Sequence, residues 1–186
     1  MKFIIVTIGK IKENFIQKGV LEYSRRISHY TELSFFPIKP SCPAEGRDTT
    51  KHGNKASRRL NLKPYFRTKE ERITKGVSES WIVQKEGERI LTKVPRDGLW
   101  VALERQGQEM DSLQHFDFIN SQAQKGFKKI VYLIGGPLGL SKEVLNHANQ
   151  VLCLSRMTLT HELSALFLIE QIYRYVNFMS GEKYHK

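Results

Sequence analysis

The sequence has few cysteines and no long hydrophobic run. Its two cysteines, Cys42 and Cys153, lie far apart without CxxC spacing. This argues against a zinc site and a disulfide framework and favours a reducing compartment. The apolar run FIIVTI is short and is followed at once by Gly9, Lys10 and Lys12, so it cannot span a bilayer and makes a poor signal-peptide core. We expect a cytoplasmic protein with no membrane partner and no metal.

Several common catalytic motifs are also absent. The sequence has no GxSxG elbow, HExxH motif or EF-hand loop, which leaves hydrolase and metalloprotease functions without a motif. The glycine-rich stretch LIGGPLGL, Leu133 to Leu140, lacks the Lys-Ser or Lys-Thr pair of a Walker loop and the three-glycine spacing of a dinucleotide fingerprint. If this stretch binds a ligand, it does so without a lysine that could contact a phosphate group.

Acidic residues are scarce relative to basic ones. The 19 Asp and Glu face 30 Lys and Arg, for a formal charge of +11. Such an excess favours a polyanionic partner such as ribosomal RNA, DNA or an anionic membrane, and the alternative is a solvated basic surface. Ten basic and three acidic residues fall between Arg47 and Lys75, within a segment rich in turn formers. We predict one domain over residues 1–186, interrupted at about 40–77 by a basic, flexible insertion.

Strand and helix patterns alternate along the rest of the chain, which predicts an α/β fold. The predicted strands are KFIIVTIG, ELSFFPIK, GLWVALE, KKIVYLIGG and QVLCLS. The predicted helices cover about 13–28, a segment ending in KEGERILTKV, Ser112 to about Gln124, a short stretch from Ser141, and Thr160 to Met179. The nearly continuous apolar run from Ile130 to Ile134 is typical of a parallel strand buried on both faces.

The last predicted helix is apolar over most of its circumference. Glu170, Arg174 and Asn177 share one face, and nearly every other position is apolar. Such a helix buries more than one face, which predicts a homodimer interface. The alternative is complete burial within one chain.

Three segments follow strands that we expect to be neighbours: VALERQG, LIGGPLGL and LSRMTLTH. Ligands of open α/β sheets bind beyond the carboxyl ends of the strands. Gly135 and Gly136 allow a close backbone approach or a positive φ, while Leu154, Met157 and Leu159 offer apolar walls. This chemistry suits a flat, largely neutral group such as the adenine of S-adenosylmethionine. The alternative is a tight strand-to-helix turn with no ligand.

The motifs IGGPLGL, LSRMTLTHEL, LIEQIYR and GEKYHK, with TIGKIKENF, EYSRR and KEGERIL, together resemble the RlmH family of SPOUT-class 23S rRNA (pseudouridine-N3)-methyltransferases. The resemblance covers residues 1–39 and 78–186. It implies a mostly parallel sheet flanked by helices, a C-terminal trefoil knot, a homodimer and S-adenosylmethionine as cofactor. The implied reaction is methyl transfer to N3 of a pseudouridine in the 23S rRNA of the ribosome.

The resemblance also implies roles for individual residues. The implied cofactor contacts are Leu103, Gly135, Leu154, Ser155, Arg156, Met157, Thr158 and Leu159. The implied catalytic candidates are His161, His185 and Tyr184, since loss of the N3 proton requires a base or an anion-stabilising environment; a structural role for His161 is the alternative. Ala165 stands where many family members carry arginine, which leaves an inactive RNA-binding or ribosome-assembly protein, or a methyltransferase of another RNA, as alternatives.

Overall fold

The computed structural model describes residues 1–41 and 78–181. Its elements, in chain order, are β1 (Lys2–Ile8), α1 (Asn14–Ile27), β2 (Leu33–Ile38), α2 (Glu79–Lys93), β3 (Leu99–Glu109), α3 (Ser112–Gln124), β4 (Lys129–Ile134), α4 (Lys142–His147), β5 (Gln150–Cys153) and α5 (His161–Met179). Each predicted strand and helix is present, and β3 is longer than predicted. Nearly all of the predicted insertion, and the C-terminal residues 182–186, lie outside the described residues.

The strands form a parallel sheet in the order β2-β1-β4-β3-β5. Strand β4 lies at the centre, and its run from Ile130 to Ile134 is buried on both faces. This explains why its sequence is continuously apolar rather than alternating. Strand β2 is an edge strand, which accommodates Pro37 because its outer side makes no ladder in the described structure. The predicted α/β class with a parallel sheet is confirmed.

Helices cover both faces of the sheet and enclose two apolar clusters. On one face, α1, α3 and α5 pack over a cluster that includes Ile5, Phe116, Tyr132 and Ile172. On the other, α2 and α4 pack over a cluster that includes Val6, Ile90, Trp100, Leu133 and Val144. This burial is the main stabilising contribution to the fold and fixes the ends of the strands relative to one another.

Side-chain caps set the starts of four helices. Ser78, Asp111, Ser141 and Thr160 each accept a backbone N–H from the first turn of α2, α3, α4 and α5, respectively. Asp111 and Gln114 form a reciprocal capping box. The N-cap residue of α1, Glu13, makes no such bond with its side chain. The backbone N–H of Glu13 is instead accepted by a residue of α5, as described below.

Helix α5 buries one broad face within the chain but leaves part of its apolar surface exposed. Leu163 is 38% exposed and Phe167 is 44% exposed. Asn177, which we expected on a polar face, is buried and donates from Nδ2 to the Tyr173 carbonyl over 2.8 Å. It is a core residue because its amide finds this partner one turn back. The homodimer stays a prediction.

Candidate functional site

The loops predicted to form a pocket meet at one edge of the sheet. Strands β4, β3 and β5 are neighbours and run parallel, so the segments after Ile134, Leu103 and Cys153 leave from the same side. The carboxyl end of β1 lies beside that of β4. The juxtaposition predicted from the three segments is therefore confirmed, and the β1 exit joins them.

The glycine-rich loop is closed by its own backbone. Gly139 donates its N–H to the Gly136 carbonyl over 3.0 Å and has a φ of +81°. The positive φ predicted for Gly135 or Gly136 is thus at Gly139, because the turn reverses there. A Cβ at Gly135 would lie 2.6 Å from the Gly139 carbonyl carbon and 2.9 Å from the Leu140 nitrogen. Glycine at 135 is therefore required for close packing within the loop.

Strand β3 contains a large bulge beside β5. Leu152 pairs with Leu103 and again with Gln108, so residues 104–107 leave the ladder between them. A Cβ at Gly107 would lie 2.8 Å from the Leu152 carbonyl carbon, so glycine permits β5 to approach. Sequence reasoning missed this bulge, although a glycine inside a strand pattern is its usual signal.

Two charged side chains of the extended β3 segment hold the loop that follows β5. Arg105 donates from Nη1 to Oγ1 of Thr158 over 3.1 Å. Arg156 pairs through Nε with Oε1 of Glu109. These contacts place Arg156 and Thr158, both predicted cofactor contacts, against the end of β3. The supporting residues Arg105 and Glu109 were not predicted.

The remaining predicted cofactor contacts differ in exposure. Leu103 and Leu154 are partly buried against the core. Ser155 accepts the Met157 N–H at its Oγ over 3.0 Å, which shapes the loop. Met157 is 78% exposed. It therefore forms no enclosed apolar wall within the described part of one chain, and its contact with a cofactor stays a prediction.

Two adjoining cavities lie beside this loop. The larger, of about 450 Å³, is lined by Glu109, Met110, Asp111, Gln114, Cys153, Leu154 and Ser155. The smaller, of about 280 Å³, shares Met110, Asp111, Cys153 and Leu154 and is also lined by Ser112, His115, Leu152, Phe167 and Gln171. Within the part of the chain that the structure describes, the lining contains carboxylates but no lysine or arginine, which suits a cationic ligand. Of the predicted contacts, only Leu154 and Ser155 border these cavities.

His161 begins α5 next to the exit of β1. Its Nε2 lies 3.8 Å from Oε1 of Glu162 and 3.9 Å from the position of a Cβ at Gly9. Burial lowers the pKa of His161, an effect that the Glu162 carboxylate opposes and Lys12 reinforces. The imidazole is therefore neutral at neutral pH and able to accept a proton.

The structure does not test the other two predicted catalytic residues. Tyr184 and His185 lie outside the described residues. Ala165 is fully buried in the core formed with α1 and α3, so within one chain its side chain has no surface position. Among residues 1–41 and 78–181, we find no group of three or more side chains arranged to hold a metal ion. Over the same ranges, no helix has the length and apolarity needed to span a membrane.

Comparison with known proteins agrees with this geometry. Residues 1–185 match a family model described as predicted SPOUT methyltransferase. The chain is similar to ribosomal RNA large subunit methyltransferase H of Carboxydothermus hydrogenoformans, with 36% identity over 186 residues and complete coverage of both chains. It is 34% identical to the protein of that name from Clostridium tetani and 36% identical to a putative one from Methanococcus vannielii, again with both chains fully covered.

Proposed function

The chain belongs to the SPOUT methyltransferase family, and from this we propose that it methylates large-subunit ribosomal RNA with S-adenosylmethionine as methyl donor. The observation that carries the proposal is full-length similarity to relatives named ribosomal RNA large subunit methyltransferase H. We further propose N3 of a pseudouridine in 23S rRNA as the methylated atom, following the resemblance of the sequence motifs. A ribosomal substrate also supports a cytoplasmic location.

The residues at the carboxyl edge fit this cofactor. S-adenosylmethionine supplies an electrophilic methyl group on a positively charged sulfonium. Carboxylates of Glu109 and Asp111 line the larger cavity; Arg156 pairs with Glu109 and Asp111 also caps α3, and the acidic lining is compatible with a cation there. The loop after β4 is closed by backbone hydrogen bonding at Gly136 and Gly139 and has no lysine for a phosphate. We propose that Leu103, Gly135 and the segment Leu154, Ser155, Arg156, Met157, Thr158 and Leu159 hold the adenosyl part.

His161 is the best-placed described candidate for moving the proton from N3. The imide nitrogen of pseudouridine must lose its proton before or during the attack of its lone pair on the methyl group. The neutral His161 imidazole can take that proton, and the adjacent Glu162 carboxylate would stabilise the imidazolium that results. The loops at the same strand edge would hold nucleophile and methyl group in line, which contributes much of the rate.

The assembly and topology follow from the same proposal. We propose a homodimer that covers the exposed Leu163 and Phe167 of α5, a C-terminal trefoil knot, and one SPOUT domain over residues 1–186. Tyr184 and His185 would then complete the active site from the C-terminal tail. The basic segment between Arg47 and Lys75 would add affinity for rRNA; if it is only a tolerated insertion, its removal will leave the salt dependence of ribosome binding unchanged.

Methyl transfer to ribosomes tests the proposal directly. Ribosomes from a strain lacking this gene are incubated with the protein and tritiated S-adenosylmethionine. The rRNA nucleosides are then identified by mass spectrometry. We expect labelled N3-methylpseudouridine. Label in another RNA would show that the substrate is not 23S rRNA. Cofactor binding without methyl transfer to any RNA would contradict the enzymatic role. Intact RNA affinity with no cofactor binding would indicate an inactive RNA-binding protein.

A further inference from the structure

Helix α2 carries a carboxyl group that is buried beside the glycine-rich loop. Glu86 is 5% exposed, and its Oε1 accepts the backbone N–H of Ser41 over 3.0 Å. Burial raises the pKa of Glu86, while the Ser41 hydrogen bond and the nearby Arg89 charge partly oppose the shift. A buried carboxyl destabilises a fold unless its contacts compensate, so its presence on the mostly apolar α2–α4 face calls for a reason.

The second oxygen of Glu86 faces the loop that follows β4. A Cβ at Gly136 would lie 3.2 Å from Oε2 of Glu86 and 3.3 Å from Cγ2 of Ile8. The loop backbone therefore runs directly against the carboxyl group and the end of β1. A Cβ at 136 would be in tighter contact than usual with both, so the loop or these side chains would have to shift slightly.

The next residue of α2 contacts the other end of the same loop. A Cβ at Gly87 would lie 2.2 Å from Oγ of Ser141, the residue that caps α4. One turn of α2 thus touches the loop at Gly136 near its start and at Ser141 at its end. Helix α2 therefore packs against both ends of the loop, and Glu86 provides the contact at Gly136.

The same turn also fixes the chain where it leaves β2. Arg89 donates from Nη1 to the Lys39 carbonyl over 2.7 Å, and Glu86 holds the Ser41 N–H. Among residues 1–41 and 78–181, the buried Ser41 hydroxyl has no hydrogen-bond partner. The exits of β2 and β4 are therefore joined through two side chains of α2.

We propose that Glu86 is a positioning residue that sets the glycine-rich loop in the conformation needed to bind the cofactor. The inference rests on the proposed function, since it takes S-adenosylmethionine to be the ligand of this loop. Glu86 touches no reacting atom in this proposal. It acts through Gly136, and its effect belongs to cofactor affinity rather than to the chemistry of transfer.

Replacement of Glu86 by an apolar residue distinguishes an effect on cofactor affinity from an effect on the stability of the fold. Glu86→Leu removes the desolvation cost of the buried carboxyl and keeps apolar packing, but it also leaves the Ser41 N–H without this acceptor, so we expect a melting temperature close to that of the wild type. We expect the Kd for S-adenosylmethionine, measured by calorimetry, to rise about ten-fold, because the branched leucine side chain does not reproduce the fit of the carboxyl group against the Gly136 backbone. Glu86→Gln keeps an oxygen for the Ser41 N–H and should stay within about three-fold of the wild-type Kd.

A matched control lies two residues along the same helix. Glu88 is partly exposed and pairs with Lys85 over 2.7 Å on the outer side of α2. Glu88→Leu should leave the Kd unchanged. A wild-type Kd in Glu86→Leu, with the wild-type protein binding normally, would overturn this inference alone. Absence of binding by the wild type would instead overturn the proposed function.

A second measurement needs no cofactor. Gly136→Ala and Glu86→Ala are combined in a double-mutant cycle, and the free energy of unfolding is measured by urea denaturation. Because the alanine methyl at 136 meets the Glu86 carboxyl, removal of that carboxyl should relieve part of the damage, and the double variant should lose less stability than the two losses added together. Strictly additive losses would show that Glu86 does not support the loop.

Discussion

Glu162, the second residue of α5, accepts the backbone N–H of Lys12 at its Oε2 over 3.1 Å. The same oxygen accepts the N–H of Glu13 over 3.0 Å. This buried carboxylate therefore satisfies the N–H of the N-cap residue of α1 and of the residue before it, and so anchors the entry to the helix. The contact also holds the β1 exit against the start of α5, where His161 lies.

Removal of this carboxylate should destabilise the fold. We expect Glu162→Ala to lower the free energy of unfolding by about 1–2 kcal/mol, since two backbone donors lose their acceptor. Glu162→Gln keeps one acceptor oxygen and should lose less. Urea denaturation measures both. Glu143, an exposed acid in the first turn of α4, is the control, and a loss in Glu143→Ala equal to that in Glu162→Ala would contradict the anchoring role.

The buried pair of His115 and Tyr132 predicts a pH dependence of stability. The His115 Nε2 and Tyr132 hydroxyl lie 2.9 Å apart, and burial lowers the pKa of His115 to about 4 from its ordinary value of 6.5. Between these values the unfolded chain binds more protons than the folded one. Stability should therefore be full above pH 6.5 and fall by about 3 kcal/mol as the pH drops to about 4.

Unfolding at pH 7 and pH 4.5 tests this dependence with two histidine variants. His115→Gln should be less stable at pH 7 but lose less on acidification than the wild type, because the titrating group is gone. His29→Gln, at an exposed position, should lose as much as the wild type. Equal acid losses in all three proteins would show that His115 does not contribute.

Local sequence signals predicted the elements but not the contacts that shape the site. The apolar run of β4 and the caps Ser141 and Thr160 are encoded within a few residues, so those boundaries are close to their predicted positions. The Glu162 carboxylate contacts Lys12 and Glu13, which lie 150 and 149 positions away in the sequence. The Glu86 contact joins residues 45 apart. Such partners are set by packing of the whole chain, and no local pattern contains them.

At the carboxyl edge of the sheet, too, some features could be predicted from the sequence and others could not. Residues that follow β3, β4 and β5 could be placed together because parallel strands share one carboxyl edge. The β3 bulge could not be placed, since it depends on Leu152 pairing twice with one strand. The positive φ at Gly139 likewise depends on where the turn closes, which glycine content alone does not specify.

Gly135 is expected to govern cofactor affinity through loop packing. In Gly135→Ala the methyl group would meet the Gly139 and Leu140 backbone, so the loop must move and the Kd for S-adenosylmethionine should rise at least about ten-fold. Gly126→Ala is the control: φ is +92° there and a Cβ meets nothing within 4 Å. It should lose about 1 kcal/mol of stability from backbone strain and keep the wild-type Kd. Unchanged affinity in Gly135→Ala would remove this loop from the cofactor site.

Arg156 offers a test of function that is nearly independent of stability. Its guanidinium is exposed and pairs with Glu109, and exposed ion pairs contribute little to folding. Arg156→Ala should therefore leave the melting temperature close to that of the wild type. If Arg156 contacts cofactor or RNA, kcat/KM for methyl transfer to ribosomes should fall about ten-fold or more. Glu109→Gln weakens the same ion pair but keeps the guanidinium, so it should retain more activity. Equal losses in the two variants would instead show that the pair acts by holding the loop after β5 in place.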